Sequence, residues 1–207
     1  MCNICSKKTR TFISLNNESL ICPSCGSLSR NRRLWSLLHS NNDFTGTMLH
    51  FSPSRSIYRK LKIKKNLKYF STDFENEFLA DYKFDITNIN QVDNKFDTII
   101  CYHILEHIKE DKKAMAELHR VLKPKGTLYI QTPFKAGDTY EDDAITSPEE
   151  RLKHFGQHDH VRIYSVDGLK NRLEHHGFKV SVKTYPAQKD DFYLGLQSPE
   201  TILIATK

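Results

Sequence analysis

Phe96-Asp97-Thr98-Ile99-Ile100-Cys101-Tyr102-His103-Ile104-Leu105-Glu106-His107-Ile108, followed by Glu117-Leu118-His119-Arg120-Val121-Leu122-Lys123-Pro124-Lys125-Gly126-Thr127-Leu128, decides the fold of this chain. The first part holds a continuous apolar run, Thr98 to Cys101, the pattern of a strand covered on both faces. Asp111 can cap a helix in which Ala114, Met115, Leu118, Val121 and Leu122 share one stripe, and Pro124 and Gly126 stop it. A further apolar run, Thr127–Thr132, comes next. Strand, helix and strand in that order read as one βαβ unit.

The same alternation extends in both directions. Thr47–Phe51 and Leu67–Thr72 read as strands before this unit, Phe178–Thr184 and Thr201–Thr206 as strands after it, with a short one near Tyr82–Phe84. Ser52-Pro53 reads as an N-cap with proline at the first helical position, ahead of Ile57 and Leu61 one turn apart. Ser165 opens a helix through Leu169 and Leu173 that Gly177 closes. The last two strands are joined by a loop holding Pro186, Gly195 and Pro199. The pattern predicts an α/β open sheet.

Residues 1 to about 40 differ in texture. Cys2-x2-Cys5 and Cys22-Pro23-Ser24-Cys25-Gly26 are two knuckle-like pairs with 16 residues between them. Four thiolates at that spacing predict one closed, tetrahedral, structural zinc site on Cys2, Cys5, Cys22 and Cys25. Such a site leaves no open coordination position, and it contributes folding energy to a segment too small for a core. Cys101, inside an apolar strand, reads as a packed thiol. Of the 207 residues 38% are hydrophobic and 27% charged, a globular balance. No apolar run approaches the ~20 residues that span a bilayer, and Met1–Arg10 do not read as a secretory signal. The expected location is cytoplasmic, with no membrane partner. The net charge of +6 permits an anionic partner, and seven basic residues between Arg55 and Lys68 meet no acid.

The quoted stretch resembles the "FDxIxxxxxLEHI … ELxRVLKPGG" block of class I S-adenosylmethionine-dependent methyltransferases, methyltransferase type 11 group. The resemblance runs from about Met48 to the C-terminus and is weakest at its beginning and between Gly137 and Tyr164. It implies a Rossmann-like sheet, mostly parallel with the last strand antiparallel, and a small N-terminal zinc-ribbon or knuckle element. The division it implies is a four-cysteine element with its linking helix over 1–40, then a catalytic domain over 41–207 with a lid insertion at about 137–165. One departure stands out. The turn after the first strand, Leu49-His50-Phe51-Ser52-Pro53-Ser54, has no glycine. It is similar to a subgroup with an "LHF-small-P" turn preceded by a "CPxCGSLxRxR" segment, matched here by Cys22–Arg32.

The resemblance also implies a cofactor, S-adenosyl-L-methionine, with named contacts. His50, Phe51 and Ser52 would line it, the amides after Ser52 facing its carboxylate. Asp73 would accept both ribose hydroxyls, or else form a turn. Asp85 and Ile86 would meet the adenine, unless Asp85 only caps a turn. Tyr102 and His103 would border the methionine part. Glu106 and His107 belong to the matched block, where they read chiefly as structural.

Between Gly137 and Tyr164 lies a polar insertion of the kind that forms lids. Its Phe155–Arg162 segment is dense in titrating groups. Three readings compete there: a second metal site from His158, His160 and an acid; acceptor orientation with general-base catalysis; and a structural hydrogen-bond network. The base candidates are His160, His158 and His103, with Arg162 and Tyr164 on the acceptor. The expected activity is in-line methyl transfer to a small-molecule or glycan acceptor. One alternative is an RNA methyltransferase that binds phosphates through the zinc element, Arg30–Arg33 and Arg55–Lys68. The other is a non-enzymatic zinc-ribbon module on a degenerate methyltransferase scaffold.

Overall fold

A computed structural model describes residues 1–15 and 19–207. The chain forms two compact units, Met1–Lys83 with Thr184–Thr201, and Phe84–Lys183 with Ile202–Lys207.

In the first unit a two-stranded ribbon, β1 (Ile13–Leu15) and β2 (Ser19–Ile21), leads into helix α1 (Ser29–Ser40). Leu34, Trp35, Leu37 and Leu38 on α1 are buried. Strand β3 (Gly46–Phe51), helix α2 (Arg55–Lys62) and strand β4 (Leu67–Thr72) follow as a β/α/β unit. β3 and β4 pair in parallel from Gly46↔Leu67 to Phe51↔Thr72, so both strands end at one edge. The helix begins later than the sequence predicts, at Arg55 with Ser54 as N-cap. Ser52 takes a left-handed φ of 44°, which keeps it out of the helix. No strand forms at Tyr82–Phe84. Tyr82 makes only an isolated bridge to Thr72, a single pair that does not propagate.

In the second unit β5 (Phe96–Tyr102) runs into a 3-10 turn, Leu105–His107, and helix α3 (Asp111–Val121). Ala114, Met115, Leu118 and Val121 are fully buried, the stripe read from the sequence. β6 (Leu122–Gln131) starts directly after α3, five residues earlier than expected. It pairs in parallel with β5, with a register shift between Phe96 and Thr98 that absorbs Lys123–Gly126. A side chain at Gly126 would meet Leu122 and the Lys123 carbonyl at 2.8 Å, so this close approach requires glycine.

The predicted lid is itself folded. β7 (Phe134–Lys135), β8 (Tyr140–Glu141) and β9 (Arg162–Ser165) form a small sheet, and α4 (Pro148–Phe155) is inserted between β8 and β9. α4 has Ser147 accepting from the Glu150 amide, Pro148 in its first turn and Gly156 at φ 83° closing it. α5 (Val166–His175) is capped by Ser165, whose Oγ accepts from the Gly168 amide at 3.0 Å. β10 (Lys179–Tyr185) is mostly exposed. β11 (Glu200–Thr206) pairs antiparallel with β6, placing Leu203 opposite Ile130. Among the described residues no helix is long and apolar enough to cross a membrane.

Candidate active site and cysteine cluster

In an open α/β sheet ligands bind beyond the carboxyl ends of the strands. At the end of β3, His50 is 3% exposed and its Nδ1 lies 3.1 Å from the Tyr69 hydroxyl. Burial pushes its pKa down to about 3, so this imidazole is neutral. Phe51 is buried beside it. Ser52 supplies the positive φ that a glycine ordinarily would, a conformation that costs roughly 1–3 kcal/mol for other residues. Two bonds hold it there. Its amide donates to the Thr72 carbonyl and its Oγ to Asp73 Oδ1, both at 2.7 Å. Asp73 Oδ2 accepts the amides of Glu77 and Phe78 at 2.6 and 3.1 Å. No side chain caps the first turn of α2.

In the second unit Asp85 is exposed and closes a turn, its Oδ1 accepting from the amide and hydroxyl of Thr87, each at 2.8 Å. Ile86 is buried. Tyr102 ends β5, and His103 follows it at a left-handed φ of 54°. His103 Nε2 lies 2.9 Å from Gln131 Oε1, and its Nδ1 lies 3.2 Å from Glu106 Oε1.

Glu106 is 1% exposed. Burial opposes its ionisation, yet His103 and His107 hold its carboxyl below the ordinary glutamate value. His107 Nδ1 sits 2.9 Å from Asp159 Oδ2, and the rings of His107 and His160 meet edge to face at 4.6 Å. His160 is buried, with Nδ1 3.2 Å from the Phe155 carbonyl. Burial first, then His107, lowers its pKa, so it is neutral near pH 7. One ligand atom from each of Glu106, His107 and His160 lies within 4.8 Å of the others. The sequence singles out His160 and His103 but misses Glu106 and His107 as their partners. Their only signal is position, directly beyond the end of β5, because 53 residues separate His107 from His160. His158 is exposed and stands outside this cluster.

Arg162 and Tyr164, expected on the acceptor, are internal. Arg162 is 6% exposed and donates to Glu141 Oε2 at 2.7 Å and to the carbonyls of Leu105, Ile108 and Lys109. Tyr164 is fully buried, its hydroxyl donating to Asp111 Oδ2 at 2.6 Å. Their polar groups are used within the fold, where Arg162 pins β9 to the 105–109 turn and Tyr164 pins it to the start of α3. The Val161 amide adds a bond to the Glu106 carbonyl at 2.9 Å.

The four cysteines of the N-terminal element converge. Cys2 and Cys25 sulfurs are 3.8 Å apart, Cys5 and Cys22 sulfurs 3.9 Å, and all four lie within 4.8 Å of one another. A tetrahedron with metal–sulfur bonds of about 2.3 Å has sulfur–sulfur edges of about 3.8 Å, so the residues fit a four-thiolate metal site. Arg32, fully buried, faces this cluster. It donates to Ser27 Oγ and to the carbonyls of Leu20, Ser27, Leu194 and Gly195. Arg33 pairs with Glu200 at 3.1 Å and Asp191 at 3.7 Å. Two of the three arginines in the Arg30–Arg33 cluster therefore have their guanidinium groups bonded within the fold. Cys101 is buried in β5 and its thiol pKa is raised by that burial, as a packed core thiol requires.

Parallel strands with polar side chains beyond their carboxyl ends, in each unit, define the Rossmann-like class of fold. Residues 21–181 match the family described as a methyltransferase domain, and the chain belongs to that family, the S-adenosylmethionine-dependent methyltransferases. A SAM-dependent methyltransferase from Mesorhizobium loti is 13% identical with a TM-score of 0.60, covering 84% of this chain and 97% of its own. One from Archaeoglobus fulgidus is 14% identical with a TM-score of 0.58, over 84% and 93%. A Haemonchus contortus phosphoethanolamine N-methyltransferase 2, in complex with phosphomonomethylethanolamine and S-adenosylhomocysteine, is 16% identical with a TM-score of 0.57, over 86% and 52%. At these identities the likeness is one of fold. A tRNA U34 carboxymethyltransferase from Campylobacter fetus is 29% identical over 120 residues, 55% of this chain, and the match spans only 40% of that relative's length.

Proposed function

We propose that this methyltransferase transfers the methyl group of S-adenosyl-L-methionine, by in-line displacement, to a hydroxyl of a small-molecule or glycan acceptor. The observation that carries this reading is the Glu106–His107–His160 cluster beyond the end of β5, tied to β9 through Val161 and Arg162. A sulfonium methyl is already activated, so the protein's tasks are alignment and removal of the acceptor's proton. The oxygen forms a bond to the methyl carbon as the sulfur–carbon bond breaks. The bonding pair stays on sulfur, leaving S-adenosylhomocysteine, and the acceptor's proton passes to the cluster. Neutral His160 is the first candidate to receive it, with His103 next. His158 is the weakest, being exposed and outside the cluster.

For the cofactor, Asp73 is read as the ribose ligand, held ready by Ser52, with His50 and Phe51 packed behind the turn. Asp85 and Ile86 are assigned to the adenine, and Tyr102 and His103 to the methionine part. Residues 1–40 form the zinc-bearing element, with zinc on Cys2, Cys5, Cys22 and Cys25 in a structural role. Expected tests are direct. A screen of hydroxylated metabolites, sugars, thiols and RNA, read by transfer of labelled methyl, should find turnover on a hydroxylated small molecule or glycan. Methylation of RNA alone would reject the reading. That second reading is favoured by the tRNA-modifying relative, and it requires salt-sensitive retention of RNA by the protein.

A further inference from the structure

We propose that Glu106, His107 and His160 bind one divalent transition-metal ion, distinct from any metal held by the cysteines. The inference deepens the proposed function and rests on its reading that this cluster faces the acceptor.

Three observations carry it. The first is Glu106, a carboxylate 1% exposed in which neither oxygen has a hydrogen-bond partner among the described residues, with His103 Nδ1 lying 3.2 Å from Oε1. An ionised carboxylate so enclosed is costly unless a cation meets it. The second is the setting of the imidazoles. His107 Nδ1 faces the Asp159 carboxylate at 2.9 Å and His160 Nδ1 faces the Phe155 carbonyl at 3.2 Å. Both partners only accept, so both Nδ1 atoms carry the proton and both Nε2 atoms present a lone pair. A carboxylate or carbonyl behind each ring is how proteins orient metal-ligating histidines. The third is spacing. The three ligand atoms lie within 4.8 Å of one another, and three ligands sharing one ion at bonds of about 2.1 Å sit about 3.0–3.6 Å apart, so closure takes shifts of about 1 Å.

Two imidazoles and one carboxylate suit a borderline ion such as Zn2+, Mn2+ or Fe2+, and they leave coordination positions open, unlike four thiolates. An acceptor hydroxyl in an open position has its pKa lowered as bound water does. His160 is then a ligand rather than the base. The hydroxyl proton passes to His103, the second acceptor named above, the oxygen–methyl bond forms as the sulfur–methyl bond breaks, and the electron pair stays on sulfur.

The test uses full-length protein carrying one zinc per chain, titrated with Mn2+ and followed by the electron paramagnetic resonance of the free ion. One Mn2+ should bind per chain. Glu106→Gln, His107→Gln and His160→Ala should each weaken it by at least about tenfold. S-adenosylhomocysteine affinity should stay at the wild-type level in at least one of them, showing that the variant is folded. Absence of Mn2+ uptake, or uptake unchanged in a folded variant, overturns the proposal. If Mn2+ does not bind but His160→Ala still lowers turnover, the metal fails and the proton-transfer reading stands. If Mn2+ binds at these residues and a metal-free variant turns over like wild type, the metal site stands and the acceptor reading fails.

Discussion

Ser52 is held at φ 44°, and the pairing that holds it there joins two residues the sequence assigns to one ligand. Asp73 spends one oxygen on Ser52 Oγ and the other on the amides of Glu77 and Phe78. Each carboxylate oxygen has further lone-pair directions, so ribose hydroxyls can be added without breaking these bonds. Asp73→Ala should therefore weaken S-adenosylhomocysteine by roughly 1.5–3 kcal/mol in a calorimetric titration, the scale of a hydrogen bond to a charged group. It should also lower stability, because Ser52 loses the partner that holds a strained backbone. Lost stability with unchanged affinity would leave Asp73 a turn residue and nothing more.

At the scale of elements, Arg162 shows why the long insertion is a folded part. Its guanidinium reaches three carbonyls of the 105–109 turn, and Glu141 joins it to Arg172. Arg162→Met should destabilise the protein by about 3–5 kcal/mol in denaturant unfolding, the scale for breaking a buried pair. A cost under about 1 kcal/mol would mean the contacts are solvated. Acid probes the same network. Hydrogen bonds from Arg172, then Arg162, outweigh burial and hold the Glu141 carboxyl at about 2 rather than 4.5. The ionised pair stabilises the fold above about pH 4.5 and is lost as pH falls towards 2. Glu141→Gln should flatten that limb of the stability–pH curve. The strands of this fold were legible because apolar runs such as Thr98–Cys101 admit few other readings. The carbonyl contacts of Arg162 were not legible, because an arginine beside histidines looks alike whether it meets a substrate or three carbonyls. The grouping of Glu106 and His107 with His160 was not legible because His160 is distant in sequence, and only the docking of β9 on the 105–109 turn brings them together.

The largest unit of behaviour open to test is the first compact unit, where the cysteine element and the 184–201 segment share one cation. Arg32 is fully buried, with a guanidinium that takes carbonyls from Leu20 and Ser27 on one side and from Leu194 and Gly195 on the other. Phe12 lies under the same guanidinium at 4.4 Å and also packs where a side chain at Gly195 would have to sit. A buried cation needs compensating negative charge. Four thiolates around one Zn2+ carry a net charge of −2, and Arg32 feels all four cysteines electrostatically. Removing the metal lets the thiols protonate and withdraws that charge. Elemental analysis of purified, fully reduced protein should give one tightly held zinc per chain, and less than about half an equivalent would count against the site. Chelation should then do more than unfold residues 1–26. It should loosen the Arg32 contacts and expose the 186–199 segment to proteolysis, with Cys22→Ser giving the same pattern. S-adenosylhomocysteine affinity should fall less than stability does. Cleavage confined to the first residues, with 186–199 still protected, would show that Arg32 keeps its carbonyls without the metal and that the two segments are held together by packing alone.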